Sequence, residues 1–263
     1  MQIVITRPAE QAHDWVRRLH AEGVRAVALP LIGIEPVDDP EPLRLAWQQL
    51  PGKALAMFVS ANAVQHFFAL RPPDQPWPDG VLAGCTGPVT AVALEQAGVP
   101  ARWRVAPAAE GPFDSEGLWA QLAARDWAGR RALVVRGEAG RDWLADRLQA
   151  AGAEVSFLAA YRRVGPRLDA AEAQAVLATA AAQPQQMVWH FSSSEAAGNL
   201  RQLGSRSGPD ASVNAPDWSR SVALATHPRI AEAVRQLGFA RVEPLDVGLD
   251  AVVAWRRRHV PVG

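Results

Sequence analysis

The chain is 263 residues long, 49% apolar and 21% charged, and its 27 basic residues balance its 27 acidic ones. That length supports a sizeable core in one or two domains, and the composition excludes collagen, low-complexity sequence and intrinsic disorder. The charge balance excludes a general polyanion-binding surface of the nucleic-acid kind, so an anionic ligand is expected to be held by local positive features.

The chain opens on Ile3-Val4-Ile5-Thr6-Arg7, an apolar run expected to form a strand. A helical spacing of Trp15 and Leu19 follows, then Gly23 and a second apolar run from Val24 to Leu29. Pro30 to Pro36 reads as an extended segment too short for a helix. Next come Met57-Phe58-Val59-Ser60-Ala61-Asn62-Ala63, then Thr86-Gly87-Pro88-Val89-Thr90-Ala91 with Gly98 behind it, then Val105-Ala106-Pro107 with Trp119 behind it. From Leu133 the series starts again. Leu133-Val134-Val135-Arg136 leads into Trp143, Leu148, Gly152 and Val155 to Leu158, with an offset of 129 for the pairs Arg7/Arg136, Leu19/Leu148 and Gly23/Gly152. Ala159 to Pro166 is a second extended segment. Trp189-His190-Phe191-Ser192-Ser193-Ser194-Glu195-Ala196 matches the Phe58 block, Thr226-His227-Pro228-Arg229-Ile230-Ala231 matches the Thr86 block at an offset of 140, and Val242-Glu243-Pro244 matches the Val105 block. The chain therefore reads as a duplication with a half of about 130 residues.

Short β-branched runs alternating with amphipathic helical stretches predict an α/β fold with two doubly wound parallel sheets. Gly23, Gly98, Gly152 and Gly238 each follow a helical run and suit left-handed helix ends. Extended segments at equivalent places in the two halves predict a discontinuous domain of residues 1–30 plus 167–263 and an inserted domain of residues 38–160. Residues 31–37 and 160–166 would link them, with a cleft between the domains. The stretch from Gly204 to Asp217 reads as a surface loop. Cys85 is the only cysteine, which excludes an intrachain disulfide and a multi-cysteine metal site. No signal peptide is legible and no apolar run approaches about 18 residues, so a cytoplasmic protein off the membrane is expected.

In open parallel sheets ligands sit beyond the carboxyl ends of the strands. The loops there carry Thr6-Arg7, Ser60-Ala61-Asn62, Thr86-Gly87 with Thr90, Arg136-Gly137 through Arg141, Ser192-Ser193-Ser194, and Thr226-His227 with Arg229. Hydroxyls, small residues and Arg at helix starts suit carboxylates or phosphates. Ordinary N-capping explains each site singly, and the two roles coexist because one cap leaves other N–H groups free. There is no Walker loop, Gly-x-Gly-x-x-Gly fingerprint or nucleophile elbow, and the six histidines lack metal-ligand spacing. Tyr161, the only tyrosine, starts the second connector. It is either a proton or hydrogen-bond donor facing the cleft or a packing ring with its hydroxyl in water.

The assembled pattern resembles the uroporphyrinogen-III synthase family over essentially the whole chain. The likeness rests on Ile5-Thr6-Arg7-Pro8, Pro30-Leu31, Phe58 to Val64, Gly87-Pro88-Val89-Thr90-Ala91, the Arg136-Gly137 turn, Tyr161-Arg162, and Phe191 to Ala196. The resemblance implies two linked α/β domains and no cofactor, with cyclisation of a flexible polycarboxylate bilane, hydroxymethylbilane, and inversion of its ring D. It places the family's hydroxyls at Thr90 and Tyr161, and Tyr161 in the catalytic role. Where the family often shows a second hydroxyl pair this chain has Arg229 and Ile230. Thr226 is then the nearest substitute hydroxyl and Arg229 an additional carboxylate contact. A monomer, with the bilane handed over transiently by the preceding enzyme, completes the expectation. The alternative is a non-catalytic two-domain binder of an anionic tetrapyrrole.

Overall fold

The computed structural model describes residues 1–138, 142–205 and 216–259. Ala139, Gly140 and Arg141, and most of the stretch expected to loop from Gly204 to Asp217, lie outside the described residues. The elements in chain order are β1 (Gln2–Ile5), α1 (Ala9–Ala21), β2 (Ala26–Ala28), β3 (Gly33–Pro36), α2 (Glu41–Gln49), β4 (Leu55–Phe58) and α3 (Ala61–Phe68). They continue with β5 (Leu82–Cys85), α4 (Pro88–Gln96), β6 (Arg104–Val105), α5 (Ser115–Leu122), β7 (Arg131–Gly137), α6 (Trp143–Ala150) and β8 (Glu154–Val164). The last are α7 (Ala170–Ala182), β9 (Met187–Phe191), α8 (Ser194–Ser205), β10 (Val222–Ala225), α9 (Pro228–Arg235), β11 (Arg241–Pro244) and α10 (Leu249–His259).

The chain divides into two compact units, Met1–Gly33 with Val164–Gly263, and Ile34–Arg163. The first holds the sheet β11-β10-β9-β1-β2; the second holds β8-β7-β4-β5-β6 with β3 added beyond β8. The α/β class and the predominantly parallel pairing are as the periodicity predicts, because strands buried on both faces must be apolar throughout and read as unbroken runs.

The duplication extends to hydrogen-bond register. Ile3 faces Ala26 as Ala132 faces Val155. Ile3 also faces Val188 as Ala132 faces Leu55, and Val222 faces Val188 as Leu82 faces Leu55. Matching neighbours thus occupy matching places in the two sheets. At the outer edge the alignment slips by one residue. Ala83 faces Arg104 and Ala223 faces Val242, so Val242 takes the place of Arg104, not of Val105. Pro107 and Pro244 are therefore not equivalent, although the shared Val-x-Pro spacing aligns them.

Gly23, Gly98, Gly152 and Gly238 all adopt the left-handed conformation, with φ between 71° and 105°. Each ends its helix as the punctuation of the sequence predicts. Residues 160–164, placed in a connector by the sequence, are the end of the long strand β8, and residues 33–36 form β3. Pairing between strands extends these segments where local sequence signals only their lack of helix.

In the 34–163 unit, Trp47, Phe58, Phe67, Trp77 and Tyr161 share one buried cluster on one face of the sheet. Leu55, Met57, Leu118, Trp127, Leu144 and Leu148 fill the other face. In the first unit Ile3, Ile5, Trp15, Leu19, Val188, Leu224 and Trp255 form the corresponding core under α1 and α10.

Candidate functional site

In the 34–163 unit the carboxyl ends of β4, β7 and β8 build one side-chain constellation. Ser60 is extended and caps α3, its Oγ accepting a hydrogen bond from the Ala63 amide at 3.2 Å. The same Oγ lies 3.2 Å from the Tyr161 hydroxyl. Tyr161 does not stand open to solvent. Its residue is only 3% exposed, and its ring contacts the His66 ring at 5.9 Å between centroids. Neither sequence reading of Tyr161 included this, since a capping serine holds the phenol and water does not surround it.

Gly137 makes that placement sterically feasible. A Cβ there would sit 3.1 Å from Cε2 of Tyr161 and 3.5 Å from its hydroxyl oxygen. Arg136-Gly137 is not a turn. Both belong to β7, where a register shift sets Gly137 opposite Tyr161. The glycine that reads as a turn former is used for close approach at a strand irregularity. Arg136 ion-pairs with Asp142 and lies over the Phe157 ring, 4.2 Å from its centroid, so its charge already has a carboxylate.

The other predicted groups of this unit are arranged around separate strand ends. Ala61 and Asn62 open α3. Gly87 caps α4 in extended conformation with Pro88 at the first helical position, and among the described residues no side chain caps the early amides. Thr90 is buried in the first turn of α4. Thr86 lines a cavity of about 170 Å³ with Met57, Val59, Ser115 and Val134.

In the first unit the candidates divide into spent and available groups. Thr6 is buried and its hydroxyl donates to the His190 carbonyl at 2.8 Å, tying β1 to β9. Ser193 Oγ accepts from the Glu195 amide, Ser194 Oγ donates to the Arg229 carbonyl at 3.4 Å, and His227 Nδ1 accepts from the Arg229 amide, capping α9. The Ser194 bond joins the Ser192–Ser194 loop to the Thr226–Arg229 loop, two segments whose proximity no local pattern announced. Arg7 donates through Nε and Nη2 to Gln11 Oε1 and lies 4.5 Å from the Trp15 ring centroid. No carboxylate pairs with Arg7 among the described residues, and burial lowers its pKa. A half-buried guanidinium whose described partners are neutral groups is suited to an anion.

The sequence reading gave His190 no role beyond packing. It is fully buried against Trp15, and neither ring nitrogen has a hydrogen-bond partner among the described residues. Burial first, and the Arg7 charge second, push its pKa from 6.5 down to about 3. The unfolded chain binds a proton here below about pH 6.5 and the folded chain does not until about pH 3. The stability contributed by the neutral ring is therefore complete above pH 6.5 and is lost as pH falls, by at most about 1.4 kcal/mol per pH unit. Strand register puts Met57 at the equivalent place in the second sheet. We expect His190→Met to flatten the acid limb of the stability curve between pH 6.5 and 4. An unchanged slope in urea melts across that range would refute the assignment.

Among the described residues no group of three or more His, Cys, Asp or Glu is placed to hold a metal, and no helix is long and apolar enough to cross a membrane. The family described as uroporphyrinogen-III synthase HemD matches residues 13–254. The chain belongs to the uroporphyrinogen-III synthase family. It is 34% identical over 177 residues to the uroporphyrinogen-III synthase of Salmonella typhimurium, covering 65% of this chain and 69% of that one. It is 32% identical over 173 residues to the Escherichia coli protein of the same name, with the same coverage. Among solved structures, uroporphyrinogen-III synthetase from Helicobacter pylori superposes with a TM-score of 0.57 at 14% identity over 98% of both chains. A mutant uroporphyrinogen III synthase from Thermus thermophilus gives 0.53 at 16% identity, again over 98% of both. At such identities the structural likeness speaks for the family's fold alone.

Proposed function

We infer that the chain is a uroporphyrinogen-III synthase, a lyase that cyclises hydroxymethylbilane to uroporphyrinogen III with loss of water. The observation that carries this reading is the family match, which spans all but the ends of the chain. In the reaction the terminal hydroxyl leaves, the resulting azafulvene is attacked by the substituted carbon of ring D, and a spiro intermediate rearranges before the ring closes. Spontaneous closure joins head to tail without inverting ring D, so the protein must hold the chain ends in the geometry of spiro attack.

Tyr161 is assigned to the departing hydroxyl. Its phenol donates a hydrogen bond or proton there, while the Ser60 hydroxyl donates to the phenol oxygen and fixes its direction. Arg7 is the first choice for an acetate or propionate, ahead of Arg136 with its Asp142 partner. The uncapped amides opening α4, with Thr86, Gly87 and Thr90, offer a second carboxylate position. Ser60 to Asn62, Ser192 to Ser194, Thr226, His227 and Arg229 complete the set at the strand ends, and Thr6 serves it indirectly by holding β1 to β9. We take the enzyme to act as a cytoplasmic monomer that receives its bilane from the enzyme producing it; the free thiol of Cys85 accords with a reducing compartment.

The test is isomer analysis. Purified protein incubated with hydroxymethylbilane is expected to yield predominantly the type III isomer. Type I product alone, at the rate seen without protein, would overturn the assignment.

A further inference from the structure

The two sheets end differently at their outer edges. In the second unit Arg104 of β6 ion-pairs with Glu95 of α4 at 3.3 Å, so a salt bridge crosses the edge. The segment from Ala106 to Asp114 then packs onto α5 so closely that a Cβ on Gly117 would meet the Pro112 carbonyl oxygen at 2.1 Å. In the first unit the register puts Val242 where Arg104 stands, and the offset of 140 puts Arg235 where Glu95 stands. The connection from β11 to α10 is also shortened to residues 245–248. Among the described residues the ion pair is gone, its acidic member is replaced by a base, and the counterpart of the Ala106–Asp114 cover is reduced to residues 245–248.

A groove of about 1010 Å³ occupies this place, running along β11 between α9 and α10. Ala231, Val242, Leu245 and Ala254 supply apolar walls, and Arg235, Arg257 and Arg258 line it as well. Arg235 and Arg257 have only exposed partners, Glu232 and Glu22, and Arg258 makes no ion pair among the described residues. Exposed pairs of that kind contribute little and yield readily to a competing carboxylate. Asp246 is the one acidic residue among the described lining residues. Thr226 and His227, counted above with the bilane set, border the groove where α9 begins, whereas Arg235 is the last residue of that helix and Arg257 and Arg258 lie in the last turn of α10.

We propose that this groove is a second binding site, separate from the Tyr161 constellation, for a molecule with an extended apolar body and several carboxylates. The apolar walls match the body and the three guanidinium groups match the acids. This class follows from the groove alone; the choice of a tetrapyrrole as probe rests on the synthase reading.

The probe is uroporphyrin I, a stable octacarboxylate porphyrin, titrated against the full chain by absorbance and tryptophan quenching. Arg235→Glu combined with Val242→Arg transplants the charge arrangement of the second unit into the groove. We expect it to weaken one bound equivalent by at least tenfold while leaving hydroxymethylbilane turnover unchanged. Ala254→Trp, at an exposed helix position, fills the groove without altering charge and is expected to do the same. Undiminished binding in either folded variant overturns the proposal, as does displacement of the porphyrin by millimolar inorganic phosphate, which would reduce the groove to a bare anion patch. Failure of the synthase reading is seen separately, in the isomer assay, and leaves the binding count unaffected.

Discussion

Tyr161→Phe is expected to lower turnover of hydroxymethylbilane about 10²-fold, the low end of the range for a positioned general acid. The expectation is modest because azafulvene formation is intrinsically easy, so most of the selectivity rests on holding the substrate. The fold should survive, since the ring keeps its place over Gly137 and against His66 and only the bond to Ser60 is lost, worth about 1 kcal/mol. Ser60→Ala separates positioning from chemistry. It frees the phenol and removes the cap of α3, so we expect a smaller fall in kcat with a stability loss of about 1 kcal/mol. Rapid-quench turnover with isomer analysis reads both variants. Parent-like kcat in a folded Tyr161→Phe protein would leave the phenol a packing group and the mechanism one of positioning alone.

Trp47→Ala should be the most damaging single truncation in the 34–163 unit. Trp47 is fully buried, stacks on Phe67 at 4.6 Å, meets Phe68 and Trp77 edge-on, and donates its indole N–H to the Phe67 carbonyl at 2.8 Å. Removing the ring costs about 3–5 kcal/mol through lost burial and the remaining cavity. The Phe67 carbonyl keeps the Leu70 amide as a donor, so the lost indole bond is a smaller part of that cost. Against a domain stability of about 5–15 kcal/mol this is a large fraction. Trp47→Phe keeps much of the ring packing and should cost less than half as much. Urea melts followed by circular dichroism test the pair; a loss below about 1 kcal/mol for the alanine variant would show that Trp47 does not organise this cluster. Because Ser60 caps α3, the same variant is expected to loosen the Tyr161 contact and depress kcat.

The parts of the site legible in the sequence were those with a local cause. Ser60 reads as a cap because an extended serine before an apolar helix has few other uses, and the structure finds its Oγ on the Ala63 amide. Tyr161 stood out by being unique. What it touches was illegible, since Ser60 and Gly137 reach it from β4 and β7 and no local pattern encodes which strand neighbours β8. His66 and His190 were passed over for the same reason: an isolated histidine in an apolar stretch looks alike whether its ring faces a core, a tyrosine or an arginine. The ion-pair partner of Arg136, Asp142 at the start of α6, was likewise not legible, since only the fold brings the two side chains together.

By itself the sequence determined the α/β class, the internal repeat, the glycine-ended helices and the family, because each is written in periodicity, turn chemistry or motif order along the chain. Only tertiary structure decided how far β8 runs, that Gly137 lies in a strand facing Tyr161, that the outer strands align one residue away from their shared Val-x-Pro spacing, and that one sheet edge is bridged by Arg104 and Glu95 while the other opens as a basic groove. The physical reason is common to all four. Strand register and side-chain contact are settled by hydrogen bonding and packing between segments far apart in the chain, and those energies leave no trace in the local pattern of either segment.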